Sequence, residues 1–135
     1  MIQRPVIQQR AARLVMLLVT LCLVAACGAN SRAKVLRVNL VALNTARDAV
    51  LTISKEREKQ IYDSCNPPSC AKEEGHARVD TWRGTVDVVI KAIDVGYRAV
   101  HDAALLDDTK STAAAAAAAA TALDLYKQLK AKEKP

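Results

Sequence analysis

The chain has 135 residues, a formal net charge of +6, a hydrophobic content of 51% and an aromatic content of only 3%. It contains no Phe and no dense stripe of Lys or Arg. Without aromatic stacking platforms or a basic stripe, the composition argues against a nucleic-acid-binding protein.

Residues 1–26 have the order of a secretory signal peptide. Three arginines precede an apolar run over residues 14–24, which is interrupted only by a threonine. That run is shorter than the roughly 20 residues that a transmembrane helix needs. Small residues follow it directly, in the sequence Val24-Ala25-Ala26-Cys27.

This tetrapeptide resembles the lipobox of bacterial lipoproteins, in which an aliphatic and two small residues precede an invariant Cys. The resemblance implies that Cys27 carries a diacylglycerol on its thiol, that residues 1–26 are removed, and that the new amino terminus receives a fatty acid such as palmitate. The membrane, reached through this lipid, is then the first predicted partner. Two alternatives remain open: an ordinary signal peptide cut after Ala26 or Ala29, and an uncleaved anchor.

Removal of residues 1–26 leaves 109 residues, enough for one domain with a modest core. Because three of the 20 basic residues are lost, 17 remain against 14 acidic residues, and the net charge falls to +3. Residues 27–33 are predicted to form the lipidated Cys and a short tether, followed by a helical domain over residues 34–135. Gly28, rather than an Asp, follows the Cys, which favours the periplasmic face of the outer membrane in a Gram-negative host.

The first helix is predicted over residues 34–63, which contain neither Gly nor Pro. Apolar residues recur there at helical spacing and predict an amphipathic helix. They are Leu36, Leu40, Leu43, Ala46, Val50, Ile53 and Ile61. Further apolar residues widen this face and suggest that more than one neighbour covers it: Val35, Val38, Val41 and Leu51.

The sequence CNPPSC, residues 65–70, is the strongest break after the signal peptide, because Pro67 and Pro68 lack amide donors. Cys65 and Cys70 are predicted to form a disulfide that staples a hairpin turn, since disulfides persist outside the cytoplasm. A redox pair or a metal-ligand pair is the alternative, although the spacing differs from that of thioredoxin-like motifs. The tip residues Asn66, Pro67, Pro68 and Ser69 are the candidate contact surface.

The second helix is predicted over residues 71–106, where apolar and small residues follow a coiled-coil heptad pattern. They are Val79, Trp82, Val86, Val89, Ile93, Gly96, Val100 and Ala103. Gly96 within this seam suggests a close approach to a neighbouring backbone, whereas Gly75 and Gly84 are interpreted as merely weakening the helix.

The third helix is predicted over residues 109–132, after the polar segment Asp107 to Thr112. One of Asp107, Asp108 or Thr109 is expected to cap it, and eight alanines run into Leu123, Tyr126 and Leu129. The alternative is one continuous helix from about Ala71 to Lys132.

Chemistry-bearing motifs are scarce, since the chain shows no phosphate loop, zinc-protease helix or nucleophile elbow. Glu73, His76 and Asp80 share one helix face, and Glu-x-x-His is half of the carboxylate di-iron pattern. A second such motif is missing, so these residues are weak candidates for a single metal ion. The chain is therefore predicted not to be an enzyme and not to need a cofactor.

The predicted fold is all-α: an antiparallel helical hairpin with a disulfide-stapled tip, closed by a third, Ala-rich helix into a small three-helix bundle. The predicted function is that of an envelope lipoprotein with a non-enzymatic scaffolding or protein-interaction role, with a protein partner or self-association through its helices. One alternative is a phage-derived envelope component, such as a lysis subunit or a superinfection-exclusion lipoprotein. The other is a small metal-binding helical protein.

Overall fold

A computed structural model of the chain describes residues 28–65 and 70–133. These residues form three helices: α1 (Ala29–Ser64), α2 (Lys72–Leu106) and α3 (Thr109–Glu133). Each helix packs against the other two, and the described part of the chain contains no strand. The predicted all-α three-helix bundle is therefore confirmed, whereas the predicted lipidation site Cys27 and the predicted contact tip, residues 66–69, lie outside the described residues.

Helix α1 begins five residues earlier than the sequence predicts. Gly28 has an extended conformation, and its carbonyl accepts hydrogen bonds from the backbone N–H groups of Ser31, at 2.9 Å, and Arg32, at 3.4 Å. No Gly or Pro occurs between Ala29 and Ala33, so the helix extends back to Gly28 without interruption. Residues 29–33, which are predicted to be part of the short tether, therefore belong to α1.

The heptad pattern of α2 predicts the core correctly, since all eight of its seam residues are buried. The face of α1 is narrower than predicted. Leu36, Leu43, Ala46, Val50 and Ile53 of the predicted face are buried, but Leu40 of the same face is exposed. Among the residues predicted to widen this face, Val38, Val41 and Leu51 are exposed as well. More than one neighbour packs against α1, as expected, since both α2 and α3 contact it, but together they leave Val38, Val41 and Leu51 exposed.

All three helices come close together at Gly96. A Cβ atom at this position would lie 3.1 Å from both Leu43 Cδ atoms of α1 and 3.7 Å from the Ala119 Cα atom of α3. The predicted close backbone approach is confirmed. Helix α3 takes part through its small side chains, because Ala115, Ala119 and Ala122 are fully buried in the core.

A turn at Asp107 and Asp108 separates α2 from α3, so the alternative of one continuous helix is wrong. Asp107 ends α2 in the left-handed conformation, with φ 48°, which Asp tolerates better than most residues. The Asp108 carboxylate accepts hydrogen bonds from the Ser111 backbone N–H and the Ser111 hydroxyl, both at 2.7 Å. Asp108 is therefore the residue that caps α3.

Loss of this cap is expected to have a pH-dependent effect. The two Ser111 hydrogen bonds lower the pKa of Asp108 below its usual 3.8, so its stabilising contribution is present at neutral pH and is lost as the pH falls through the lowered pKa. Asp108→Ala should therefore unfold at lower urea than the parent at pH 7, and the difference should shrink in strong acid. Asp108→Asn, which keeps a capping oxygen, is the control and should remain close to the parent at pH 7. A difference between Asp108→Ala and the parent that stays constant with pH would contradict this assignment.

Candidate functional site

The end of the hairpin is closed by a disulfide between Cys65 and Cys70, as predicted, with a Cα–Cα distance of 5.0 Å. Cys65 is buried against the first turns of α2, and a Cβ atom at Gly75 would lie 3.3 Å from the Cys65 Sγ atom. Gly75 thus makes room for the disulfide. The interpretation that Gly75 merely weakens the helix is wrong.

Removal of the disulfide is expected to cost little, because the loop that it closes is short. The double variant Cys65→Ser and Cys70→Ser should stay helical and lose about 2 kcal/mol of unfolding free energy or less. Circular dichroism and urea unfolding measure both quantities, with the reduced parent as the control. Complete loss of helicity in the variant would show that the disulfide holds the whole fold together rather than only its turn.

The stapled end projects beyond the third helix. Helix α3 has 25 residues against 35 in α2, a difference that corresponds to about 15 Å of helix. Thr81 and Thr85 of α2 lie where α3 ends. On one side they line a cleft with Leu129 and Lys132 of α3, and on the other they line a separate groove towards the stapled end. Past α3, the hairpin consists of two helices only.

This stapled-end groove lies between α1 and α2, and its volume is about 450 Å³. Its floor includes Trp82, which is only 8% exposed and whose indole N–H has no hydrogen-bond partner among the described residues. Two guanidinium groups line it: Arg57 donates to the Gln60 side chain, and Arg78 pairs with Glu74. Among the described residues that line the groove, no side chain is acidic, so the charged groups among them are cationic.

Polar contacts between α1 and α2 fix the register of the hairpin. The Arg83 guanidinium donates to both carboxylate oxygens of Glu58, at 3.0 and 2.9 Å, and the Tyr97 hydroxyl donates to the Asn44 side-chain oxygen. The hydrogen bonds from Arg83 lower the pKa of Glu58 below its usual 4.5, while burial raises the pKa of Tyr97. The Glu58 contribution to stability is therefore present at neutral pH and lost in acid.

The metal candidates Glu73, His76 and Asp80 do not form a metal site. All three residues are exposed, and the His76 ring lies edge-on to Tyr62 with a centroid separation of 6.0 Å. In the described ranges, residues 28–65 and 70–133, no group of three or more His, Cys, Asp or Glu side chains is placed to hold a metal ion. A shared helix face is thus insufficient, because the facing helix supplies no further ligands.

The opposite end of the bundle, here called the base, contains Gly28, the start of α1 and the turn between α2 and α3. Arg32 Nε donates to Asp107 Oδ1 at 3.2 Å and joins α1 to this turn. Immediately before the turn, Leu105 and Leu106 are 73% and 65% exposed. The sequence pattern predicts no role for these leucines. A signal was present, however, because they lie outside the heptad seam and directly before a polar turn.

Comparison with protein-family models, curated proteins and solved structures found no match. Among the described residues, no helix contains an apolar stretch long enough to cross a bilayer. The function is therefore inferred from the residues themselves and from the geometry of the two ends of the bundle.

Proposed function

We propose that this chain is a membrane-anchored bacterial envelope lipoprotein with a non-enzymatic scaffolding or protein-interaction role. The observation that carries the proposal is the separation between the start of α1 and the disulfide. Helix α1 is 36 residues long, so Gly28 and Cys65 lie about 50 Å apart. A lipid on Cys27 would hold the base at the membrane while the stapled end stands well away from it.

The direction of α3 supports this arrangement. Residues 125–129 of α3 lie against residues 81–89 of α2, so α3 runs back towards the stapled end. A continuation of α2 past Leu106 would instead run into the bilayer beneath the base. The turn at Asp107 and Asp108 keeps the whole bundle on one side of the membrane, which in a Gram-negative host is the periplasmic side of the outer membrane.

The stapled-end groove is the described part of the proposed contact surface, which also includes the predicted tip, residues 66–69. The groove continues the path of α3 along the hairpin, so a helical segment of a partner would fit there as α3 does below it. Arg57 and Arg78 line the groove with guanidinium groups, of which that of Arg78 is paired with Glu74. An acidic partner segment would bind Arg57 and compete with Glu74 for Arg78. The buried Trp82 offers such a segment an apolar floor, as aromatic anchors do in other interfaces.

Crosslinking in cells tests this contact surface. Replacement of Arg57 and Arg78 by Ala should abolish most of the adduct that the parent forms with its partner, because the positive lining is lost. Replacement of Lys91 and Arg98 by Ala changes the net charge equally at exposed positions midway along α2 and should leave the adduct unchanged. Adduct that survives the groove variant and disappears in the mid-helix variant would overturn the proposed surface.

A further inference from the structure

We propose that Leu105 and Leu106 insert into the surface layer of the lipid bilayer and so set the upright orientation of the bundle. This inference rests on the proposed lipoprotein function and adds to it a second, non-covalent membrane contact. Both side chains are more exposed than any other large apolar residue among those described, at 73% and 65%. They are adjacent in the last turn of α2, so both lie at the base, with their side chains about 100° apart around the helix axis.

The location of the two leucines indicates which surface covers them. The Arg32–Asp107 contact of 3.2 Å holds the start of α1 beside the turn that follows Leu106. The 27 residues that precede Gly28 therefore join the bundle at the same end as the two leucines, and they include the apolar run over residues 14–24. Whatever attaches Cys27 to a membrane also brings Leu105 and Leu106 to its surface.

The charges of the base are compatible with a lipid surface. The Asp107 carboxylate is paired with Arg32, and the Asp108 carboxylate is engaged by Ser111 at the start of α3. Lys34 and Lys110 are exposed near the same end, where basic side chains are attracted to anionic head groups. Asp102, one turn further from the base, remains exposed beside His101.

Two leucines bury too little area to hold a protein on a bilayer by themselves, but they suffice to orient one that is already anchored. Apolar side chains at such a surface reach about 5–10 Å into the boundary between head groups and acyl chains. A second copy of this chain is the other surface that could cover an exposed leucine pair. The following experiment separates these occupants.

Tryptophan quenching by brominated lipid measures insertion directly. The full chain, purified from membranes of the producing bacterium, is reconstituted into vesicles of phosphatidylcholine and phosphatidylglycerol with or without bromine on the acyl chains. The parent contains a single Trp, the buried Trp82, which serves as an internal reference. Leu106→Trp adds a reporter at the base, and Val95→Trp adds a matched reporter at a 56% exposed position on the middle of α2.

We expect brominated lipid to quench the added emission of Leu106→Trp several-fold more than that of Val95→Trp, and to leave the parent unchanged. Equal quenching of the two variants would indicate a bundle lying flat, and absence of quenching in vesicle-bound Leu106→Trp would indicate a base that is covered by protein or held away from the lipid. The first result overturns the upright orientation and the second overturns the insertion, while the lipid anchor stands in both cases. A parent protein that does not float with the vesicles overturns the anchor as well.

Discussion

Ala119→Leu is expected to destabilise the bundle by about 3 kcal/mol, at the upper end of the usual cost of overpacking a core. Ala119 is fully buried, and its Cα atom lies 3.7 Å from the position that a Cβ atom would occupy at Gly96. A leucine here would need space that Leu43 and the α2 backbone already fill. Because Gly96 has no side chain that could move aside, the helices themselves would have to separate.

The neighbouring residue provides the control. Ala120 is exposed on the same helix, so Ala120→Leu makes an identical change at almost the same intrinsic helix propensity without entering the core. Urea unfolding monitored by circular dichroism should give a reduced midpoint for Ala119→Leu and a midpoint close to that of the parent for Ala120→Leu. Equal midpoints for the two variants would contradict the close three-helix approach at Gly96.

Cys27→Ser is expected to abolish attachment of the lipid. The proposed diacylglycerol is joined to the protein through the Cys27 sulfur, and a serine hydroxyl does not form that thioether. The variant should therefore lose the incorporation of radiolabelled palmitate and should remain uncut or become soluble. Labelling in cells, followed by separation of membrane and soluble fractions, measures both effects.

Cys22→Ser is the matched control for this experiment, because Cys22 lies within the apolar run of the proposed signal peptide. It should incorporate palmitate as the parent does, and its product should remain in the membrane fraction. Palmitate in Cys27→Ser at the level of the parent would refute lipidation at this residue. Loss of palmitate in both variants would instead point to a general failure of export.

The core of α2 could be predicted from the sequence because its apolar residues keep a strict spacing. A heptad pattern specifies one face of a helix, and that face is the one buried in the structure. The break after Leu106 was also predictable, since acidic and hydroxyl side chains compete with the helix backbone for hydrogen bonds. The sequence could not identify Asp108 as the cap among its candidates, because that choice depends on the geometry of the turn.

Other features depend on relations between helices that no local pattern contains. The exposure of Val38 and Val41 follows from the direction in which α2 and α3 pack, because apolar residues on α1 cannot indicate how much of its circumference these two neighbours cover. The role of Gly75 follows from the position of Cys65 across the hairpin. The predicted bounds of the second and third helices, residues 71–106 and 109–132, already imply that α3 is the shorter of the two. The side chains that line the stapled-end groove, however, are known only from the packed bundle.

Mass spectrometry of the amino-terminal peptide tests the central claim most directly. The protein is extracted from membranes of the producing bacterium with a mild detergent and digested without hydrolysing its esters. The lipoprotein account predicts that the mature chain begins at Cys27 and that this residue carries the mass of a diacylglycerol, with or without an added amide-linked fatty acid. An unmodified chain that retains residues 1–26, or that begins at Cys27 or Asn30 without lipid, would contradict it.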